Sequence, residues 1–342
     1  MTALRGKWIM VDIGLVLMLI GLAVLGVNEH SAADWQRGMA RHGGSILVLG
    51  TEASPDAAQY GRRVLVTGTP QVVQRPRDPD FHVSADTSLL VRKVAMFQWR
   101  EVRFGNQVNY QQDWVDHAVD SSDFEQPAGH ANTLTFPFES ARFHAAVVRL
   151  DGYVLAPELV HALPGGTKPL QPDFSHLPAN LQASFRVRGN RLTTRVGDDR
   201  PRLGDLRVQW LVHPLQTVTV IARVDGNRLV PANGPGKGFR IQLGERSLTD
   251  IFPDLPLPPS GVWAWRVLAL VLTCLGAWLA LRQWFATRTA VPAALASGVA
   301  VLGVLAGIMW IATSVMIAVI AWVVAVLAAA FGGLCMRRRA VP

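Results

Sequence analysis

Cysteine is almost absent: the chain has two, Cys274 and Cys335, and both fall inside apolar runs. The stretch between the outer apolar runs has none, which excludes a disulfide framework or a cysteine-based zinc site there. Lysine is scarce as well, 4 against 29 arginines, a usage that points to a GC-rich bacterial gene. No G-x-S-x-G, H-E-x-x-H or C-x-x-C is present, so the common signatures of a hydrolase elbow, a zinc protease and a thiol redox site are missing. The most informative absence is charge. From Ala290 to Cys335 there are 46 residues without Asp, Glu, Lys or Arg. At about 1.5 Å per residue a single helix would reach about 69 Å, more than twice a hydrocarbon core of roughly 30 Å. The run is therefore expected to fold as two spans, 290–309 and 316–335, with a turn around Trp310 to Val315.

Two more spans precede it. Trp8 to Val27 is a 20-residue run broken only by Asp12. It reads as an uncleaved anchor over 8–27, because the apolar region of a secretory signal runs only about 7–15 residues. Trp263 to Leu281 is the next span, followed by a basic, aromatic loop over 282–289. The net charge of +8 invites a nucleic-acid reading, yet residues 28–262 hold 25 Lys/Arg against 24 Asp/Glu. The excess sits at span ends, in Arg5, Lys7, Arg266, Arg282, Arg288, Arg337, Arg338 and Arg339. The basic pI thus reports membrane topology, and no nucleic-acid partner is expected. Because Lys and Arg are retained in the cytoplasm, segment 1–7, loop 282–289 and tail 336–342 are all expected inside. Four spans satisfy the three constraints together. Residues 28–250 and a proline-rich linker over 251–262 are then expected in the periplasm, or in a lumen if the source is eukaryotic. Asp12 lies one turn inside the cytoplasmic end of its helix, where snorkelling or pairing with Arg282 or Arg288 is a simpler role than a proton or ion pathway. Arg266 reads as an interfacial anchor.

The central domain turns β-rich after a polar helix over 29–42 that continues from the membrane span, and a further short helix is expected over 150–162, so the class is α+β. Residues 91–104 and 108–117 read as a hairpin joined by Gly105-Asn106-Gln107 and carrying Phe97, Trp99 and Trp114. Arg186 to Leu192 and Arg223 to Leu229 match at six of seven positions, 37 residues apart, and each places Gly-Asn where a tight hairpin turn needs it. Convergence of good hairpins and an old duplication explain the match equally well.

Candidate chemistry is sparse. Asn233-Gly234-Pro235-Gly236-Lys237-Gly238 lacks the first glycine and the final Ser/Thr of a phosphate loop and reads as a β-turn cluster. Asp113, Asp116, His117, Asp120, Asp123 and Glu125 crowd one stretch without an ordered ligand pattern, which favours a solvated acidic loop over a cation site. His130 is an isolated candidate ligand or acid/base, more often structural than chemical. No catalytic residue, metal or cofactor is expected. The residues singled out for a structural or functional role are Asp12, Trp99, Trp114, His130, Asp205, Arg207 and Arg223.

Several segments, taken in order, resemble the LUMA family, transmembrane protein 43. They are Asn28-Glu29, Gly61 to Val64, Arg92 to Trp99, Tyr110 to Trp114, Gly129-His130-Ala131-Asn132, Gly204 to Val208, Val218 to Arg223 and Leu229-Val230-Pro231. The resemblance implies one anchor, a large extramembrane domain and three closing helices, in agreement with the charge argument. It also implies a protein that associates with itself and with other membrane proteins, and it carries no catalytic roles. The chain departs from the animal members in a shorter hairpin loop and in Pro164 to Phe174. The expected function is that of a membrane-organising scaffold contacting lipids, its own copies and other membrane proteins. An oligomeric channel or transporter, and a lipid- or envelope-modifying enzyme using His130 and the acidic stretch, are the alternatives.

Overall fold

The computed structural model describes residues 2–133, 135–194, 200–233, 238–283, 285 and 287–337, the side chains of 2–7, 287, 288 and 337 excepted. In chain order the elements begin with α1 (Thr2–Arg41), β1 (Ile46–Gly50), β2 (Arg63–Gly68), β3 (Gln71–Gln74), β4 (Leu89–Phe104), β5 (Gln107–Val115), β6 (Ala141–His144), β7 (Val147–Leu150) and β8 (Tyr153–Leu155). Then come α2 (Pro157–His161), β9 (Lys168–Pro169), α3 (Ala179–Ser184), β10 (Arg186–Arg188), β11 (Arg191–Thr193), β12 (Leu206–Val212), β13 (Val218–Asp225), β14 (Arg228–Val230) and β15 (Arg240–Leu243). Four helices close the chain: α4 (Leu248–Ile251), α5 (Val262–Leu281), α6 (Thr287–Trp310) and α7 (Val315–Arg337). They sort into two compact units, Met1–Ser45 with Leu248–Pro342, and Ile46–Ser247.

The first unit is helical. Among the described residues four helices are long and apolar enough to cross a membrane: Trp8–Arg41, Val262–Leu281, Thr289–Trp310 and Val315–Met336. One is N-terminal and three are C-terminal, as read from the apolar runs. Helix α1 does not stop where its apolar run does. Its 40 residues contain no proline, so nothing breaks the hydrogen-bond ladder until Gly43 and Gly44, whose φ values of 90° and 97° end it. The compact sheet-rich unit runs over Ile46–Ser247. Close packing of α1 on α5 rests on glycine: a Cβ on Gly14 would lie 2.5 Å from the Gly276 carbonyl oxygen, so the two backbones touch without side chains between them.

The second unit holds two sheets. One runs β1-β2-β13-β14-β8-β7-β3 with β15 on β13, and the other β10-β11-β12-β4-β5 with β6 on β4 and β9 on β12. The first core gathers Val64, Val66, Val148, Leu150, Tyr153, Leu159, Val220 and Val224. The second gathers Phe81, Leu90, Val94, Met96, Leu192, Val208 and Trp210. Alternation along β4 and β12 sends one set inward and leaves Lys93, Ala95, Arg207 and Gln209 on the other face.

Strands β4 and β5 form the expected hairpin in register from Met96↔Val115 to Phe104↔Gln107, with Gln107 already in the strand. The two matched heptapeptides are both hairpins, β10 with β11 and β13 with β14, turning at Gly189 (φ 58°) and Gly226 (φ 63°). They lie in different sheets. The expected helix over 150–162 shrinks to Pro157–His161. Asp151 adopts φ 50° and accepts the Ala53 N–H at 3.1 Å, which turns the chain into β8 before a helix can start. The proposed turn cluster around Asn233 has Gly234 to Lys237 outside the described residues; its ends meet where Ala232 N donates to Gly238 O at 2.7 Å.

Candidate functional site

Within the helical unit the polar chemistry concentrates at Glu29. Its side chain is 2% exposed and accepts from Arg266 twice, Nε to Oε1 at 2.6 Å and Nη2 to Oε2 at 2.8 Å. Trp310 Nε1 donates to Oε2 at 2.6 Å and Asn28 Nδ2 to Oε1 at 3.1 Å. Arg266 also lies over the Trp263 ring at 5.0 Å. One carboxylate therefore ties α1, α5 and α6 together. A bidentate guanidinium with two further donors satisfies a buried carboxylate almost completely. Arg266, expected as an interfacial anchor, is in addition the counter-ion of Glu29. Asp12, the acid singled out from the sequence, forms no ion pair among the described residues. Arg282, one of its expected partners, instead lies over Trp278 one turn back at 4.9 Å; the Arg288 side chain is outside the described residues.

In the sheet-rich unit a different group forms at the β4–β5 hairpin. His130 stacks on Tyr110 at 3.9 Å and meets Trp99 edge-on at 4.8 Å, and its Nδ1 contacts Gln126 O at 2.9 Å. Asn132, two residues on, acts as a one-residue strand: its Oδ1 accepts the Trp99 N–H at 2.8 Å and its Nδ2 donates to Trp99 O at 2.9 Å. His130 and Trp99 thus brace a loop against the hairpin, which fits the structural reading of His130. The acidic stretch does not converge. Asp113 pairs with Arg100 at 3.1 Å, Asp116 contacts His117 at 3.0 Å, and Asp120 caps Ser122 N at 2.9 Å. Among the described residues no three His, Cys, Asp or Glu side chains gather as a metal site would require. Beside the loop, the Glu125 N–H, then Arg103 and Tyr110, hold the Glu101 carboxyl below the usual carboxylate range.

Across the hairpin base, Arg207 lies over Trp114 at 4.7 Å and Trp114 touches Phe97 at 5.5 Å between centroids. Burial, and then the neighbouring Arg191, lower the Arg207 guanidinium from its ordinary value. Asp205 takes a turn-closing role, accepting Arg202 N at 2.7 Å. Arg223 stands apart from both groups, directly opposite Arg63 on β2, with its Nε buried and without a partner among the described residues.

Reasoning from the sequence passed over the strongest buried pair of this unit. Asp78, with a fully buried side chain, accepts Arg92 Nη1 at 2.8 Å and Trp210 Nε1 at 2.9 Å. Arg92 also donates to Asp80 at 2.6 Å and to Glu139 O at 2.9 Å. The signal available was an arginine on the inward-facing period of a strand, which needs a carboxylate from elsewhere. For Glu29 the signal was an acid just past an apolar run, with Arg266 near the start of the next.

A family model described as Transmembrane protein 43 matches residues 96–326, from the β4–β5 hairpin into α7. A Drosophila melanogaster protein named Transmembrane protein 43 homolog is 26% identical over 297 residues, covering 80% of this chain and 77% of its own. Transmembrane protein 43 of Rattus norvegicus is 26% identical over 266 residues, and that of Homo sapiens 24% over 270. Each of these two mammalian matches covers 70% of this chain, which spans 65% of their length. No solved structure matches the chain significantly.

Proposed function

The chain belongs to the transmembrane protein 43 family as a multi-pass membrane protein, and from that premise we propose that it is a membrane-organising scaffold. In this reading it associates with its own copies and with other membrane proteins, and its sheet-rich unit grips partners or lipid headgroups. The basic span ends support a non-cytoplasmic side for that unit, periplasmic in a bacterium. The observation that carries the reading is where the bundle spends its buried charge. Glu29, Arg266 and Trp310 satisfy one another between three helices, which locks the helices together and, among the described residues, leaves no unpaired buried carboxylate there to line a passage. Support for partner contact comes from the hairpin tip, where Phe104 is 68% exposed, a large apolar side chain held out on a two-stranded arm. An enzymatic role is not part of the reading.

The test is native mass spectrometry and cross-linking of the full chain extracted in mild detergent. Oligomers, or reproducible complexes with other membrane proteins, are expected. A clean monomer with no partners overturns the proposal. Liposome flux that vanishes in Asp12→Ala would replace it with a transport function.

A further inference from the structure

On the outer face of the seven-stranded sheet, β12 sets Arg207 opposite Ala95 of β4 and Gln209 opposite Lys93. Because Ala95 carries only a methyl group, a hollow opens over it. The resulting cleft of about 480 Å³ is bordered by Lys93, Trp114, Asp116, His117, Arg207 and Gln209. The carboxylates around it make their short contacts with other groups, though Asp113 acts through space on Arg207 and Asp116 on Lys93. Asp113 pairs with Arg100 at 3.1 Å and accepts the Trp114 N–H at 2.7 Å, while Asp116 contacts His117 at 3.0 Å. Arg207, by contrast, has no ion pair and no hydrogen bond among the described residues, only the Trp114 face at 4.7 Å.

A half-buried cation with no ion pair of its own, offset only by the field of nearby Asp113, is a cost that folding tolerates poorly. Stacking on the indole holds the guanidinium plane and leaves its edge donors in a fork suited to an oxyanion. Lys93 adds a second positive charge one strand away, and the Gln209 amide a neutral donor between them. Three donor groups spread over two strands match a tetrahedral group with several acceptor oxygens better than a two-oxygen carboxylate. Asp116 on the rim disfavours a highly charged anion and favours a monoanion.

We propose that this cleft is a phosphate-binding site, taking the group either as free phosphate or as the phosphodiester of an anionic phospholipid. Arg207 forks onto the phosphate oxygens, Lys93 balances their charge, and Trp114 holds Arg207 in place. The site deepens the lipid-gripping part of the scaffold reading and is independent of its self-association part.

The experiment uses the full chain in an uncharged detergent, titrated separately with inorganic phosphate and with dihexanoyl phosphatidylglycerol. Line broadening of the phosphorus NMR signal is followed for the wild type, Arg207→Gln and Lys93→Gln. Loss of one bidentate charged contact is expected to weaken binding about tenfold in Arg207→Gln, with a smaller loss in Lys93→Gln. Such a loss with inorganic phosphate identifies a free-phosphate site; confined to the lipid, it identifies a headgroup site. The proposal is overturned if both variants titrate like the wild type with both probes, or if the wild type binds neither at millimolar concentration. Melting temperatures check folding, and Arg207→Gln should melt no lower than the wild type because it removes a desolvated cation. Should Arg207→Gln fail to fold, Lys93→Gln, at an exposed position, decides the question alone. A monomeric protein without partners that still binds phosphate in an Arg207-dependent way sinks the scaffold reading and leaves this one standing.

Discussion

Replacing Asp78 with alanine probes the buried network of the sheet-rich unit. The side chain is fully buried and accepts from four donors, Arg92 Nη1 at 2.8 Å, Trp210 Nε1 at 2.9 Å and the backbone N–H groups of Asp80 at 3.1 Å and Phe81 at 3.4 Å. Removing one partner of a buried ion pair costs about 3–5 kcal/mol when the other charge is stranded. Here Arg92 is not stranded, since Asp80 remains at 2.6 Å and Glu139 O at 2.9 Å. The indole N–H of Trp210, on a residue with 0% exposure, does lose its acceptor, which by itself costs about 1–3 kcal/mol. The sum falls at the lower end, about 3 kcal/mol. For a unit of this size each kcal/mol moves the melting temperature by roughly 2–4 °C, so the transition should drop by about 6–12 °C. Asp80→Ala, whose side chain is 47% exposed, should cost no more than about 1 kcal/mol. Intrinsic tryptophan fluorescence of the full chain in detergent reads both transitions. A double-mutant cycle with Trp210→Phe should return a coupling of about 1 kcal/mol, the part owed to the indole N–H. The reasoning is refuted if Asp78→Ala costs no more than Asp80→Ala, or if the cycle shows no coupling.

Other expectations follow from the same contacts. Glu29→Ala leaves the Trp310 N–H and a partly exposed Arg266 without their acceptor; because Arg266 can reorient toward water, the helical unit should lose about 2 kcal/mol, read as earlier unfolding by SDS titration. Gly276→Leu places a side chain where the Gly14 carbonyl and Met18 already lie and should prevent α1 from docking on α5, visible as rapid proteolysis between them, whereas Gly26→Leu, with nothing within 4 Å, should not. Burial first, then His161, Arg142 and His213, lower the His144 imidazole from its ordinary value, and burial, then Arg142, lowers His213. Unfolding lets these rings take up protons near about pH 6.5 that the fold resists, so their contribution is complete above that value and is lost as pH falls through it. Melting temperatures between pH 7.5 and 5.5 should therefore decline, less steeply in His144→Gln; a flat or rising profile in the wild type contradicts the assignment.

What could be read from the chain alone were properties that each segment carries by itself. Span number and order follow from apolar length and missing charge, because a bilayer imposes one length on every helix. The β4–β5 hairpin and the two Gly-Asn hairpins follow from turn residues that few other conformations suit. Within those elements, Trp99, Trp114 and His130 could be singled out as bulky groups on a strand or tight loop, and Arg207 only through the segment Gly204 to Val208 that carries the family resemblance. Their partners were not. Glu29 meets Arg266 across 237 residues and Asp78 meets Trp210 across 132, and no local pattern encodes such a distance. The polar continuation of α1 past its apolar run could be read from residues 29–42, whereas whether Asn132 completes a strand and whether Arg207 gains an ion pair both depend on which surfaces come together. Tertiary packing decided these points, because an unpaired buried polar group costs more than local propensity can repay, and the chain settles where such groups find one another.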